Sequence, residues 1–153
     1  MSGERLRFFV ASNRRTAGGA PAPLAGLNEI VDAERGGWGN ALKKRECVRV
    51  QRCCEEAMGK CGWKRPDGRS VVTLTFVETT RGRDPDNIFG GAKLILDGMT
   101  MPRGRKRYGA GAIRDDSQRW IELRFGKILV DKDRPGCWVE VEEIEDGVQE
   151  PTG

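Results

Sequence analysis

The sequence predicts an α+β fold, a mixed β-sheet with helices packed on one side. Three observations carry this. Residues 70–78 alternate, with Val72, Leu74 and Phe76 on one face and Thr73, Thr75 and Val77 on the other, the period of a strand rich in β-branched residues. Cys47, Val50, Cys54, Ala57, Met58 and Cys61 recur at helical spacing and mark one apolar face of a long helix. The elements then follow in the order strand, helix, strand, helix, strand, strand, which suits strands and helices sharing one core.

Residues 6–11 read as the first short strand. Residues 16–26, rich in Ala, Gly and Pro, read as a loop around Pro21 and Pro23. The long helix is expected from about residue 40 to 58, ended by Gly59 and Gly62, with Lys43, Lys44, Arg45, Arg49 and Arg52 on its polar faces. The run Pro66-Asp67-Gly68 is a turn signal before the alternating strand. Residues 81–99 continue as a second helix, with Asp84 at its N-cap, Pro85 at the first helical position, and Ile88, Ala92, Ile95 and Met99 as the buried stripe. Gly90-Gly91 weakens its first turn. Residues 102–111 form a basic, Gly-rich loop carrying Arg103, Arg105, Lys106 and Arg107. Two further strand-like runs follow at 119–125 and 137–144. No repeat or interior boundary divides the chain, so residues 1–147 read as one domain and 148–153 as a fraying tail.

Composition bounds the function. About 37% of residues are apolar and a third are charged, which describes a globular protein. No run approaches the ~20 apolar residues of a membrane span, and there is no signal-peptide core, so the expected location is the cytoplasm. The net charge of +4 hides an asymmetry. Residues 139–153 hold six of the 23 acidic side chains and none of the 27 basic ones, leaving a body of net charge +10. A basic body suits a polyanionic partner, because Lys and Arg release the counterions condensed on phosphates. The chain has no histidine and no CxxC pair. That argues against a structural zinc site and excludes a Ser-His or Cys-His mechanism, so the cysteines read as buried thiols. Catalysis here must use carboxylates, lysine or a metal.

Asp84, Asp86, Asp115 and Asp116 are the informative residues. Asp84 precedes proline and is biased to an extended backbone, where side chains two apart point the same way. Neighbouring carboxylates repel unless a cation lies between them. Mg²⁺ is such a cation, taking one or two carboxylates and keeping water or phosphate oxygens as its other ligands. It can activate water for attack on a phosphodiester. Asp115-Asp116 supplies a further carboxylate from a separate turn, one of the pair facing the site and the other facing solvent or capping the turn. The structural alternative is plain: Asp-Pro-Asp-Asn is an ordinary helix start and Asp-Asp-Ser an ordinary turn. Asp97 would lie about 16 Å along a straight helix from Asp86, so an ion pair with Lys93 or a structural bond is expected of it. Lys93 either helps neutralise a phosphate or is a surface lysine.

The combination Asp84-Pro85-Asp86-Asn87, then Lys93 and Asp97 four apart, then Asp115-Asp116-Ser117 before the final strands, resembles the RusA family of Holliday junction resolvases. The upstream stretch PAPLAGLN, ending in Asn28, is similar to that family's proline-containing loop. The resemblance covers roughly residues 6–144. It implies a RusA-like α/β sandwich, a homodimer, and Mg²⁺-dependent cleavage of four-way DNA junctions by paired nicks in recombination and repair, with Mn²⁺ as a substitute metal. It maps the metal-binding aspartates onto Asp84, Asp86 and Asp116, and the functional lysine onto Lys93. Lys43, Lys44, Arg81, Arg83, Arg103, Arg105, Lys106 and Arg107 could line the DNA-facing surface, joined by Asn28 and Asn87 from the matching motifs. Two departures stand out. The chain is a few residues longer between Asp86 and Lys93, with Gly90-Gly91 in the gap, and the basic loop at 101–111 is longer than in the minimal family pattern. Three other readings remain: a branched-DNA-binding protein without cleavage, a metal-dependent nuclease for flaps or forks, and a solvated α+β protein with no nucleic-acid role.

Overall fold

A computed structural model describes residues 5–144; the expected tail at 148–153 lies outside them. The strands are β1 (Arg5–Ala11), β2 (Ser70–Glu78), β3 (Ile121–Phe125), β4 (Leu129–Val130) and β5 (Gly136–Glu143). The helices are α1 (Leu27–Arg35), α2 (Gly39–Cys61), α3 (Pro85–Gly90) and α4 (Ala92–Met99). The sheet runs β1-β5-β2-β3, with β4 continuing along the β3 side of β2. It is mixed, as expected: β5 is antiparallel to both β1 and β2, whereas β3 and β4 run parallel to β2.

The alternation of β2 decides which face is covered. Val72, Leu74 and Phe76 are buried with Leu6, Phe8 and Val10 of β1 and Cys137, Val139 and Val141 of β5. Val50 and Cys54 of α2 and Ile95, Leu96 and Met99 of α4 close over them in one core. The opposite face keeps Arg7 paired with Glu140 across strands, beside Phe9 and Trp138 with ring centroids 4.8 Å apart. The helices therefore pack on one side.

Several boundaries depart from the sequence reading. α2 passes through Gly59 and stops at Gly62, whose φ of 72° is the left-handed conformation that ends helices without strain. Cys61, expected on the apolar face, is exposed at that end, while Cys47 and Cys54 are buried. Residues 27–35, read as lying beyond the proline loop and before the helix, form α1; Glu29 accepts the Gly26 N–H at 3.2 Å and caps its start. β4, a two-residue strand, carries too short a pattern to show.

The second helix divides at Gly91 into α3 and α4. A Cβ on Gly91 would lie 2.5 Å from the Ala25 carbonyl oxygen, and one on Gly90 would lie 2.6 Å from Leu27 Cβ. The two glycines let the start of α1 press against the helical pair. The expected buried stripe is intact, with Ile88, Ala92, Ile95 and Met99 all at most 5% exposed. Asp84 is the N-cap and Pro85 the first helical residue, yet the Asp84 carboxylate makes no capping hydrogen bond.

Candidate carboxylate cleft

The C-terminal end of α4 organises the site. Three backbone bonds pin the returning loop to it: Ala110 N–H to Gly98, Gly111 N–H to Thr100, and Ala112 N–H to Met99. Gly109 permits this approach, since its φ is 139° and a Cβ there would lie 2.1 Å from the Thr100 carbonyl oxygen. Before that anchor the basic loop folds as a small hairpin, with Arg103 and Lys106 bonded through their backbones around Gly104. After it, the chain turns through residues 114–120 beside α4.

The result is a cleft of about 640 Å³. Asp97, Asp115 and Asp116 supply its carboxylates; Arg103, Lys106, Arg114 and Arg119 supply its cations; Trp120 forms part of its wall. Arg114 stacks over the Trp120 ring with 4.7 Å to its centroid, and Arg119 lies 5.7 Å from it. Lys106 donates to the Thr100 hydroxyl and lies 5.5 Å from the Tyr108 ring.

The two neighbouring aspartates are driven apart electrostatically. Asp115 accepts the Asp116 backbone N–H at 2.9 Å and lies 3.4 Å from Arg103, and these contacts hold its carboxyl below the usual range despite some desolvation. Asp116 goes the other way: burial, its hydrogen bond with Asp115, and the charges of Asp97 and Asp115 raise its carboxyl.

Asp97 is 9% exposed. The expected ion pair with Lys93 is not the one formed: Lys43 Nζ of α2 lies 3.2 Å from Asp97 Oδ2. The contact is one of charge, for Asp97 Oδ2 is buried without hydrogen-bond geometry to any partner among the described residues. Lys93 is exposed and, with Lys43, Asn40 and Glu34, lines a second cleft of about 310 Å³ between α1, α2 and α4. Lys43 borders that cleft and pairs with a wall of the first.

The expected trio of Asp84, Asp86 and Asp116 is not brought together. Asp84 and Asp86 are exposed at the N-terminal end of α3, whereas Asp116 stands at the C-terminal end of α4. The length of the α3–α4 segment separates them. Among the described residues no three His, Cys, Asp or Glu side chains are grouped to hold a metal ion. Asp97 and Asp116 fit a different kind of site, a hard cation bound through one or two carboxylates that keeps most of its water. The raised Asp116 carboxyl, with the buried Asp97 oxygen that meets only the Lys43 charge, is where such a cation would bind.

The remaining expected DNA contacts divide into two groups. Lys44, Arg81, Arg105 and Arg107 are exposed. Arg83 is committed elsewhere: its guanidinium meets both Glu78 oxygens at 2.8 and 2.7 Å and Glu29 at 2.7 Å, in a mostly buried network. Asn87 is 8% exposed and its side-chain oxygen accepts the Asn28 backbone N–H at 2.7 Å, so this pair ties α3 to α1. Thr100, Arg114, Arg119 and Trp120 were not singled out in the sequence. The flanking of Asp115-Asp116 by Arg114 and Arg119 was a readable signal; Thr100 and Trp120 carried none.

Among the described residues no helix is long and apolar enough to cross a membrane. No protein-family model, curated protein or solved structure matches the chain.

Proposed function

We propose that this chain is a Mg²⁺-dependent structure-specific endodeoxyribonuclease that resolves four-way DNA junctions as a homodimer. The single observation that carries the reading is the juxtaposition in one cleft of Asp97, Asp115 and Asp116 with Arg103, Lys106, Arg114 and Arg119. Carboxylates for a cation beside cations for phosphate are what phosphodiester hydrolysis needs where no histidine exists. The resemblance of the aspartate motifs to RusA-type resolvases supplies the substrate class.

Asp116, with Asp97 beside it, would hold the Mg²⁺ (or Mn²⁺), which when bound supplies an activated water and charge neutralisation at the scissile phosphate. Arg103 and Arg119 would grip the phosphates flanking the cut, and Arg114 would brace the Trp120 wall. Lys43 fixes the Asp97 carboxylate by its charge. Arg105 and Arg107, on the exposed hairpin, would follow the backbone of a DNA arm without reading its sequence. Asp84, Asp86 and Lys93 enter through the resemblance alone: Lys93 as a phosphate-neutralising cation, and Asp84 and Asp86 as metal-binding residues that within one chain stand at the far end of the α3–α4 segment from this cleft.

Cleavage of a labelled four-way junction and a matched linear duplex, each with and without Mg²⁺, tests this. Paired nicks in the junction alone, only with metal, are expected. An uncut but bound junction would move the case to a non-catalytic branched-DNA protein, and cutting of flaps or forks in preference to junctions would make it a nuclease for those.

A further inference from the structure

We propose that the outer edge of β3 pairs with the same edge of a second copy of this chain, joining two sheets across a two-fold axis at Leu123. The edge is open. Trp120 accepts the Ser70 N–H and Gly126 donates to Leu74, so the even-numbered residues of β3 turn their backbone groups towards β2. By the alternation of a strand, Ile121, Leu123 and Phe125 turn theirs outward. Among the described residues nothing pairs the backbone of Leu123 or Phe125 on that side. Ile121 is partly used, its N–H by Ser117 and its carbonyl, at 3.5 Å, by Arg69.

One face of this edge is apolar where an edge is normally guarded, and the charges on its other face, Glu122 and Arg124, are of opposite sign. Leu123 is 37% and Phe125 39% exposed, and Leu129 and Val130 of β4 continue the strip at 43% and 45%. The edge of β1 differs: it alternates Arg5 and Arg7 into solvent, and Arg49 of α2 reaches the Ala11 carbonyl at its end. Charges on an edge block pairing and apolar residues invite it.

What identifies the occupant as a second copy is the order of residues in β3, Ile-Glu-Leu-Arg-Phe. Antiparallel pairing about Leu123 sets Glu122 opposite the second copy's Arg124 and Arg124 opposite its Glu122. On the other face Ile121 meets Phe125 and Leu123 meets itself. The register also matches the free hydrogen-bonding groups. The two Leu123 residues exchange both of their bonds, and each Phe125 N–H meets an Ile121 carbonyl that Arg69 yields. Within one chain Glu122 and Arg124 already meet at 2.7 Å; across the axis each gains the same partner again. This pairing rests on the homodimer of the proposed function and names its interface, while using no property of the carboxylate cleft.

The test is the mass of the full chain in solution by sedimentation equilibrium, with charge-swapped variants. The expected result is twice the 17.0 kDa of the chain at micromolar concentration. Glu122→Arg or Arg124→Glu alone places like charges opposite each other at two symmetric points and should weaken the dimer about tenfold or more, and the double swap should restore it. Leu123→Pro removes the outward N–H without touching the β2 ladder, so a folded monomer is expected; should it fail to fold, the charge swap still decides. A wild-type chain that stays monomeric at all concentrations overturns the proposal, as does a dimer that none of the variants weakens. A monomer would also remove the homodimer from the proposed function, whereas a dimer that the variants leave intact overturns this interface alone; junction cleavage with and without Mg²⁺ tests the cleft separately.

Discussion

Lys43 Nζ of α2 stands 3.2 Å from Asp97 Oδ2 of α4, and this pair joins the two clefts that flank it. Lys43 is about a third exposed and Asp97 nearly buried, so the charges are unequally solvated. Burial alone would lower the ammonium's pKa, but Asp97 outweighs it and holds Lys43 above 10.5. A raised folded-state pKa means the contribution is full below the unfolded value and is lost as pH rises through the folded one. Lys43→Met should therefore cost at most about 1 kcal/mol at neutral pH, a modest figure because the ammonium is a third exposed. Urea unfolding from pH 8 to 11 should show the gap between variant and wild type closing only above about 10.5. A gap independent of pH would place the loss in packing instead.

Asp116 is expected to behave as a carboxylate that the fold alone does not favour. Its raised pKa means the charged form is disfavoured in the folded chain, so its contribution to stability falls as pH rises through the folded value. Asp116→Asn should leave the metal-free protein as stable at pH 7 or more so. It should also abolish the rise in melting temperature with Mg²⁺ and lower junction cleavage by about a hundredfold or more, past the usual cost of losing an outer-shell partner. Calorimetry with and without Mg²⁺ reads this directly. A variant that keeps the full Mg²⁺ stabilisation would remove Asp116 from the cation's ligands.

Arg83 separates a structural arginine from a DNA-binding one. Its bidentate contact with Glu78, which is 2% exposed, and its bond to Glu29 leave Glu78 a buried lone carboxylate if the guanidinium goes. Removing one partner of a buried pair costs about 3–5 kcal/mol, so Arg83→Met should destabilise strongly. The salt dependence of junction binding by whatever folded variant remains should be unchanged. Arg105→Ala, on the exposed hairpin, should do the reverse: stability kept, affinity lowered for all DNA alike, and the salt slope reduced by about one unit. Binding measured from 50 to 300 mM salt distinguishes them.

What could be read in the sequence follows from what each pattern encodes. The alternation from Ser70 to Phe76 and the seven-residue spacing of Cys47 and Cys54 each reflect burial of one face and fell where expected, while Val77 and Glu78 at the end of β2 are buried as well. The stripe from Ile88 to Met99 was readable too, but the break at Gly91 was not, because it answers to the Ala25 carbonyl across the fold rather than to its own neighbours. The same limit applies to the site. Asp115 and Asp116 stood out as a pair, whereas the partner of Asp97 is set by how α2 crosses α4, so Lys93 at helical spacing was a weaker guide than Lys43 fifty-odd residues earlier. Arg83 looked like one of many basic side chains; only the placement of Glu78 at the end of β2 shows it to be spoken for.

The cysteines give a measurement that needs no DNA. Burial pushes the thiols of Cys47 and Cys54 up to about 12, with the Asp97 charge adding to it at Cys47 and Glu55 at Cys54. Burial likewise raises Cys137, and to a lesser degree the half-buried Cys53. At pH 8 a thiol with a pKa near 12 is thiolate in only about one molecule in ten thousand, and the thiolate is the reactive form. Cys61 alone is exposed, at the end of α2. A colorimetric thiol reagent at pH 8 should therefore modify one group within minutes, a second more slowly, and the other three only after denaturation. Cys61→Ser should remove the fast phase and leave the rest. Fast reaction of three or more thiols in the native protein would mean that α2 does not hold its apolar face against the sheet.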